Sequence, residues 1–473
     1  MIFSGRIINY ISMGKFVESG LVLFAMLGLW ACSGERVKEW NSMDQWKNTE
    51  NGALLSPSAG VYSFEGSTWS YGKNHKDFKN FEYSAEILTD SSTVAGLFFQ
   101  SDPAVLSGYE VLINNTYGAD EMRKTGSLAT VRNLYKTMAG NGQWFTLNVL
   151  VVGRKMVIKI NEIPVVNYVQ PEEPFRLPEN ATKVFGSGTF VLKNYSGILQ
   201  MKNMQVKPLD EATILPALAE EISEEQGDDI IQLQQRNFPV IDFHVHLKGW
   251  NKEQAHANSM KAGIEYGIAP NCGIGFPVTD DAGVYAYHDS TQHMPFFFAM
   301  QGEGREWVDT FSEEAMNQFD YVFTDALTFT DHKGRRTRLW IDDEVFIDIP
   351  QEKYMDLIVD KIIMVLDKEP IDVYVNPCFL PNAMLSDYDK FWTVERIQRV
   401  IDKLVEKKIA LEINARYHIP NALTIKMAKE AGVKLSMGTN NGDPNIGKLE
   451  YCVQMIKECG ITPEDLYFPA QMK

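Results

Sequence analysis

The first half of the chain alternates apolar and polar positions with a period of two residues. Between Phe145 and Val151, for example, apolar residues are separated by Thr146 and Asn148. Such alternation is typical of strands that bury one face. Further short apolar runs occur at 81–88, 94–100, 109–114, 155–160, 189–192 and 198–206. Many short strands separated by Gly, Asn, Asp and Ser predict an antiparallel β-sandwich over residues 38–209.

The second half changes to apolar strands that alternate with amphipathic helices. Short apolar runs occur at 240–245, 371–375, 409–413 and 433–437. Between the second and third runs, apolar residues of 394–405 recur at helical spacing after Thr393, a candidate N-cap. Strands that are joined through helices pair in parallel by right-handed crossovers. The pattern predicts a TIM-like (β/α) barrel over residues 238–473.

The stretch between the two halves is strongly acidic. Residues 210–229 contain eight Asp and Glu side chains and no Lys or Arg. Because like charges resist collapse, residues 210–237 are predicted to form a solvated linker or a loosely packed acidic helix. The chain is therefore predicted to contain two folded domains, in agreement with its length of 473 residues.

The amino terminus contains an uncharged apolar segment at 21–30, which basic residues precede and polar residues follow. These ten residues are too few to span a bilayer but suit the core of a signal peptide. The run that ends at Cys32 resembles the lipobox of bacterial lipoproteins. The resemblance implies that residues 1–31 are removed and that a lipid on Cys32 anchors the protein in the bacterial cell envelope, on the outer membrane. An uncleaved signal anchor and a soluble protein with an apolar amino terminus remain alternatives.

The overall charge restricts the classes of partner. The formal net charge is −17, whereas sequence-independent nucleic-acid binding depends on Lys and Arg that neutralise phosphates. The composition therefore argues against nucleic acid as a partner, and membrane contact would depend on the acyl chain. The cysteines beyond Cys32 show no metal-binding spacing and are predicted to be buried free thiols.

Several motifs of the first half occur in a recognisable order at 96–102, 108–111, 125–128, 142–144 and 201–209. This ordered set resembles the 3-keto-disaccharide hydrolase family, whose domain is a concanavalin-like jelly roll of the LamG-like class. The resemblance implies action on oxidised glycosides, in which a ketone at carbon 3 acidifies the proton at carbon 2. A general base removes that proton, and donors or a cation stabilise the resulting enolate.

The same resemblance supplies candidate residues for an oligosaccharide or glycoside substrate. Glu110 matches the family's Gly-Tyr-Glu stretch and is the candidate catalytic acid or base. Gln100 and Lys136 are candidate contacts to sugar oxygens, and Tyr109 and Trp144 are candidates for stacking on a sugar face. An alternating strand also accommodates such aromatics in its core and such a glutamate on its solvated face, so these structural roles remain alternatives.

One departure from the family concerns a late strand, where a Leu-Gln-x-His-like run is usual. This chain has Leu192-Lys193-Asn194-Tyr195 there, so the histidine is missing. Carbohydrate binding, which needs aromatic and polar groups but no base, therefore remains an alternative to catalysis.

The sharpest chemical motif of the second half is His-x-His after a hydrophobic strand. Because alternate side chains of an extended chain point the same way, His244 and His246 are candidate ligands of one metal ion. The motif resembles the polymerase-and-histidinol-phosphatase family of metal-dependent hydrolases over residues 238–469. The resemblance adds Glu303 as a metal ligand, and it suggests Asp325 and His418 as candidate catalytic residues on the barrel rim.

Other positions of this family are altered. The late Gly-Ser-Asp-x-His motif is replaced by Gly438-Thr439-Asn440-Asn441, and Asn376 follows the middle strand. Neutral amides are weak ligands for divalent ions. The sequence therefore predicts a single divalent metal ion of unknown identity instead of a multinuclear phosphatase centre, and it predicts no nucleotide cofactor.

Together these patterns predict an exported, lipid-anchored carbohydrate-processing hydrolase or lyase that acts on modified, 3-keto glycosides. A second domain, the barrel, is predicted to carry a residual metal site. Two alternatives remain open at this point: a metal-dependent phosphoesterase centred on the barrel, and a non-catalytic glycan-binding lipoprotein.

Overall fold

The computed structural model describes residues 39–72, 78–118, 120–213, 229–442 and 445–469. The apolar amino-terminal segment, the lipobox with Cys32 and most of the acidic linker lie outside these residues. Within them, no helix is both long and apolar enough to cross a membrane. The chain from Glu39 onward forms one compact unit, within which the two halves contact each other.

The strands of the first half bury alternate side chains. In the described residues their bounds are β1 (Asn41–Ser42), β2 (Trp46–Asn48), β3 (Tyr62–Glu65), β4 (Thr68–Tyr71), β5 (Phe81–Thr89), β6 (Val94–Ser101), β7 (Tyr109–Ile113), β8 (Phe145–Val152), β9 (Lys155–Ile160), β10 (Ile163–Val169), β11 (Thr189–Ser196) and β12 (Ile198–Pro208). In β5, every second residue from Phe81 onward is buried. This is the period of two that the sequence predicts.

Two antiparallel sheets form the sandwich. The first sheet has the order β1-β12-β5-β8-β9-β10 with β3 paired to β12, and the second has the order β2-β4-β11-β6-β7. Aromatic side chains fill the space between the sheets. Phe81 and Tyr83 of β5 pack against Phe190 of β11, with ring centroids 4.9 and 5.3 Å apart. The predicted antiparallel sandwich is confirmed, and the strand order fits a jelly roll.

The second half alternates strands with helices. The strands among the described residues are β13 (Ile241–Val245), β14 (Glu265–Ile268), β15 (Asn271–Cys272), β16 (Phe297–Gly302), β17 (Tyr321–Thr324), β18 (Thr328–Thr330), β19 (Arg336–Arg338), β20 (Val373–Tyr374), β21 (Ala410–Asn414) and β22 (Leu435–Gly438). The helices are α1 (Asp229–Gln235), α2 (Lys252–Ala262), α3 (Asp281–Thr291), α4 (Trp307–Thr310), α5 (Glu313–Met316), α6 (Gln351–Lys368), α7 (Asn382–Leu385), α8 (Tyr388–Phe391), α9 (Val394–Lys407), α10 (Ala422–Glu430) and α11 (Glu450–Cys459).

The parallel strands form a nearly closed barrel. Their order is β13-β14-β16-β17-β20-β21-β22, with the short β15 beside β16 and a separate β18-β19 hairpin. The end of the last strand lies beside the first strand. Asn441, which follows β22, forms a parallel bridge with Val245 of β13. The His246 N–H also donates to the Asn441 carbonyl at 3.0 Å. The barrel prediction is thus supported, and the carboxyl ends of its strands meet at one mouth.

Local signals place the barrel helices where the sequence predicts them. The Thr393 side chain accepts a hydrogen bond from the Arg396 N–H and caps α9. Gly432 follows α10 with a φ of 82°, the left-handed conformation that ends many helices. The cysteines of the barrel are buried free thiols, as predicted: Cys272, Cys378, Cys452 and Cys459.

A segment of the sandwich packs against the barrel, and we call residues 121–138 the clasp segment. The Tyr135 hydroxyl donates to the Phe238 carbonyl at 2.9 Å, and the Tyr135 N–H donates to Glu265 Oε2 at 2.6 Å. Asn133 adds two hydrogen bonds to Gln234 of α1, both 2.9 Å long. The two halves are therefore joined by buried polar contacts.

A buried ion pair completes this junction. Lys136 Nζ lies 2.5 Å from Asp320 Oδ2, and both side chains are 12 % exposed. Asp320 directly precedes β17, and Glu265 begins β14. These residues lie at the amino-terminal ends of the barrel strands. The clasp segment therefore binds the end of the barrel that is opposite to its mouth.

Candidate functional site

Glu110 lies on the outer face of the second sheet of the sandwich. Its neighbour Tyr109 belongs to the core between the sheets, and successive side chains of a strand point to opposite faces. Glu110 is nevertheless only 6 % exposed. Space for its side chain comes from Gly96 on the adjacent strand, where an added Cβ would lie 2.2 Å from Glu110 Oε1. A glycine therefore allows the carboxylate to lie flat across β6.

Two polar side chains hold the Glu110 carboxylate. The Tyr195 hydroxyl donates to Oε1 at 2.6 Å, and Lys183 Nζ donates to Oε2 at 3.1 Å. Tyr195 is on β11, which pairs with β6, whereas Lys183 is in the loop before β11. Burial, followed by the charge of Glu110, raises the pKa of Tyr195. Tyr195 is therefore a neutral phenol near pH 7 and acts as a donor.

A cavity of about 480 Å³ adjoins this cluster, lined by Glu110 and Tyr195 together with Glu121 and Arg123 of the clasp segment. Arg123 Nη2 lies 2.7 Å from Glu121 Oε2. Burial acts to raise the pKa of Glu121, but the hydrogen bonds and charge of Arg123 hold that pKa below its usual value. The lining of the cavity thus combines carboxylates, a phenol and the Arg123 guanidinium, whereas Lys183 contacts Glu110 without lining the cavity. Such a set can move a proton and stabilise a developing oxyanion.

The sequence predicts Glu110 as a candidate site residue but does not predict its partners. Tyr195 lies in the stretch where the related family usually has a histidine. Its role depends on the sheet order, which places β6 between β11 and β7. Lys183 and Arg123 come from loops that carry no periodic pattern, so no signal in the sequence links them to Glu110.

Tyr109 and Gln100 lie in the interior of the sandwich, away from the Glu110 carboxylate. Tyr109 is fully buried, and its hydroxyl donates to Gln170 Oε1 at 2.7 Å. The Gln100 side chain donates to the Lys79 carbonyl at 2.6 Å and accepts from the Gly186 N–H at 2.9 Å. Both residues therefore make internal contacts, and neither lines the cavity beside Glu110.

Lys136 and Trp144 also lie away from Glu110. Lys136 forms the buried ion pair with Asp320 in the junction with the barrel. Trp144 precedes β8 of the first sheet, and Lys202 Nζ of β12 lies 4.2 Å from the centre of its ring. Of the five residues assigned to the sugar site from the sequence, Glu110 alone lines the cavity.

The two histidines of the barrel come together at its mouth. The His244 and His246 rings have centroids 5.2 Å apart. His244 Nδ1 lies 2.6 Å from Glu412 Oε1, and His246 Nδ1 lies 2.9 Å from the Ala269 carbonyl oxygen. Burial, followed by the charge of His244, lowers the pKa of His246 to about 3. His246 is therefore a neutral imidazole at physiological pH.

Two carboxylates share the mouth with His246. Glu303 and Asp325 line a cavity of about 240 Å³ together with His246 and several amides. Burial, followed by the charge of Asp325, raises the pKa of Glu303 to about 7. His418 lies elsewhere, since its ring stacks on Tyr451 with centroids 4.9 Å apart and does not line this cavity.

The fit of these residues to a metal ion is partial. A histidine whose Nδ1 contacts a carboxylate is a common arrangement around metals, and His244 Nε2 is buried without a hydrogen-bond partner. Glu303 Oε1, however, accepts a hydrogen bond from Asn271 at 2.5 Å. In the described part of the chain, no three His, Cys, Asp or Glu side chains group closely enough to hold a metal ion. The metal site stays a prediction.

The family match and the similar solved structures described here cover the sandwich half of the chain. Residues 31–207 match the family model described as a 3-keto-alpha-glucoside-1,2-lyase-like domain. Similar solved structures include a proposed glycosyl hydrolase from Parabacteroides distasonis, with 15 % identity and a TM-score of 0.32 over 36 % of this chain and 94 % of that chain. Another is the carbohydrate-binding module CBM66 from Bacillus subtilis, with 16 % identity and a TM-score of 0.23 over 36 % and 97 % of the respective chains.

No curated protein matches the chain. The resemblance that the sequence motifs indicated for the first half is confirmed by the family match. The amino-terminal domain therefore matches the 3-keto-disaccharide hydrolase-like family over residues 31–207, and its described residues form a β-sandwich.

Proposed function

We propose that the sandwich domain is a carbohydrate-processing hydrolase or lyase that acts on modified, 3-keto glycosides at the cavity beside Glu110. The observation that carries this proposal is the buried Glu110 carboxylate, held by Tyr195 and Lys183 at the wall of a cavity of about 480 Å³. The match of residues 31–207 to a 3-keto-glucoside lyase-like family supports the choice of substrate class.

The proposed chemistry assigns a role to each polar group. Glu110 takes the proton from carbon 2, which the neighbouring ketone acidifies. The electron pair moves onto the ketone oxygen, and Tyr195, which lines the cavity, donates a hydrogen bond to that oxygen as it becomes an enolate. The enolate then expels the group at carbon 1, and Glu110 returns the proton it removed to the leaving oxygen. Addition of water across the new double bond gives the hydrolysis product.

A carboxylate-to-amide change at Glu110 tests this role. Glu110→Gln keeps the shape of the side chain but removes the base, so kcat on a 4-nitrophenyl 3-keto-glucoside should fall about 10²–10⁴-fold. Both the α and the β anomer are assayed, because the proposal does not specify the configuration at carbon 1. The matched control is Glu65→Gln on the exposed end of β3, which should retain full turnover. Full activity in Glu110→Gln would remove Glu110 from the mechanism.

We also propose that the protein is exported and held in the cell envelope by a lipid on Cys32. The support is the apolar segment at 21–30 and the lipobox-like run that follows it. Membrane fractionation of cells tests the proposal. The wild-type protein should sediment with membranes, and Cys32→Ser should release it. Wild-type protein in the soluble fraction would contradict the anchor.

The metal prediction for the barrel is tested by metal analysis. Purified full-length protein is dialysed against buffer with a divalent-ion mixture, and bound metal is measured by mass spectrometry. One ion per chain that is lost in His244→Ala would support a site at the two histidines. Release of phosphate from phosphate esters, with those ions present, would instead favour the phosphoesterase alternative.

A further inference from the structure

The mouth of the barrel contains two neighbouring cavities. The inner cavity is about 240 Å³ and the outer one about 360 Å³, and both are lined by Trp340, Arg416 and Tyr417. Because three residues border both cavities, the two form one elongated depression. Its total size is within the range of small-molecule sites, roughly 300–1,000 Å³. It is separate from the cavity beside Glu110, so an inference about it does not rest on the proposed sandwich chemistry.

Side-chain amides form much of the inner cavity, and we call Asn271, Gln301, Asn376 and Asn440 the amide floor. Asn376 Oδ1 accepts hydrogen bonds from Asn414 and Asn440, each at 2.9 Å, and its Nδ2 donates to Asp325 at 3.1 Å. These bonds fix its orientation. An amide both donates and accepts, which matches a hydroxyl group that does the same.

Gln301, another amide of the floor, is only 6 % exposed. It lines the same cavity as His246. Burial restricts the movement of its side chain, so the floor is a fixed surface of amide groups.

The outer cavity is aromatic, and we call Trp340, Phe379 and Tyr417 the aromatic wall. Phe379 and Tyr417 pack edge to face with centroids 5.1 Å apart. Trp340 is 44 % exposed and Leu385 beside it is 52 % exposed. Contiguous exposed apolar surface commonly marks a binding site. Flat aromatic rings suit the apolar C–H face of a sugar.

The charges that line the inner cavity are balanced. Lys248 and Arg416 contribute two cations, while Glu303 and Asp325 contribute two carboxyl groups. The Arg416 guanidinium already has a partner in the protein, since its Nη1 donates a hydrogen bond to the Asn440 carbonyl at 2.9 Å. A phosphate or other anion placed on the floor would lie against the carboxylates. A neutral ligand avoids this repulsion.

We propose that the barrel mouth is a second carbohydrate site, which binds a neutral, unphosphorylated glycoside. One ring places its hydroxyl groups on the amide floor, and the next unit stacks on the aromatic wall beside Trp340. Binding rests on amides and aromatic rings and does not require a metal ion.

The test uses the full-length protein with maltose, cellobiose and sucrose as probes, and glucose 6-phosphate and inorganic phosphate as comparisons. Calorimetry measures affinity with and without EDTA, and hydrogen exchange locates the bound sugar. We expect at least one disaccharide to protect peptides around residues 376 and 416–417, with EDTA causing no change. Trp340→Ala should weaken this binding about tenfold, which is about 1.4 kcal/mol. Trp40→Ala, a matched control that is 41 % exposed in the sandwich, should leave it unchanged.

Several results would overturn the inference. Protection confined to sandwich peptides would place all sugar binding beside Glu110. Tighter binding of phosphate or glucose 6-phosphate than of every disaccharide would show an anion site, and loss of binding in EDTA would show a metal-dependent one. Unchanged affinity in a Trp340→Ala protein with normal thermal stability would exclude the aromatic wall.

Discussion

At the scale of single residues, the candidate active site depends on one hydroxyl group. Tyr195 is 46 % exposed overall, yet its hydroxyl reaches Glu110 at 2.6 Å across the glycine at position 96. The ring approaches the cavity from solvent while its polar end contacts the carboxylate. Tyr195 is thus suited to donate to a substrate oxygen without being part of the core.

Removing this hydroxyl should lower turnover more than it lowers binding. We expect Tyr195→Phe to reduce kcat on a 3-keto-glucoside about 10²-fold, the usual loss for one donor to a developing oxyanion. KM should change little, because the ring remains. Steady-state kinetics measure both constants. Tyr62→Phe, on the neighbouring sheet, is the control, and equal losses in the two variants would argue against a specific role for Tyr195.

Glu265 makes the stability of the molecule depend on pH. It is buried in the junction, and burial raises its pKa to about 8. Lys136 and Lys124 act in the opposite direction, as do the N–H groups of Tyr135 and Lys136. Because the folded protein holds a proton that the unfolded chain releases above its ordinary pKa of 4.5, stability is full below that pH and is lost as pH rises toward 8.

We expect Glu265 to lower the free energy of unfolding by roughly 1 kcal/mol per pH unit as the pH rises from 5 toward 8. Glu265→Gln carries no titratable proton, so the free energy of unfolding of the variant should fall less steeply over this range. Urea denaturation at several pH values gives the two slopes. Glu253→Gln at an exposed position of α2 should behave like the wild type. Parallel slopes for wild type and Glu265→Gln would contradict the assignment.

At the scale of elements, the clasp segment has two roles. Glu121 and Arg123 line the cavity beside Glu110, and Tyr135 and Lys136 bind the barrel. One wall of the sandwich cavity is therefore held in place by contacts with the second domain. This connection lies at the end of the barrel opposite to its mouth.

Breaking the ion pair of the clasp segment should be costly. Lys136→Met leaves Asp320 buried without its partner, and we expect a loss of about 3–5 kcal/mol in the free energy of unfolding. Lys159→Met removes a more exposed pair with Glu162 and should cost less than about 1 kcal/mol. Chemical denaturation compares the two. A small effect of Lys136→Met would mean that Asp320 is satisfied by the Phe298 N–H, which donates to it at 2.7 Å.

At the scale of the whole molecule, the two halves should depend on each other for stability. Tyr135 and Ile231 are each only 1 % exposed, and Ile231 of α1 belongs to the hydrophobic core of the sandwich. An isolated fragment of residues 39–209 would lack Ile231 and expose Tyr135. We expect this fragment to melt at a lower temperature than the full-length protein.

A substitution at Tyr135 distinguishes the junction from the sandwich itself. Tyr135→Ser should improve the solubility of the fragment 39–209, where the ring is uncovered, but destabilise the full-length protein, where the ring is buried. Calorimetric melting of both proteins, with and without the substitution, provides the comparison. Equal effects in the two backgrounds would contradict a role in joining the halves.

Much of the fold was predictable from local patterns. Alternation over residues 81–88 and 145–151 indicates strands because a strand with one buried face must repeat every two residues. Thr393 and Gly432 mark helix ends for equally local reasons. Site residues were less predictable. Tyr109 and Glu110 are adjacent on β7 and point to opposite faces, so the pattern alone excludes their contacting one sugar ring together.

What the sequence by itself determined is therefore the class of each half and the identity of Glu110 as a candidate base. Only the tertiary structure decided which groups surround it. Tyr195 and Lys183 follow Glu110 in the chain by 85 and 73 residues. Tyr195 meets it because β11 pairs with β6, and Lys183 meets it from the loop before β11. The same holds for Lys136, whose charge is paired with Asp320 in the junction. Periodicity reports local burial, whereas contacts between distant residues depend on sheet order and domain packing.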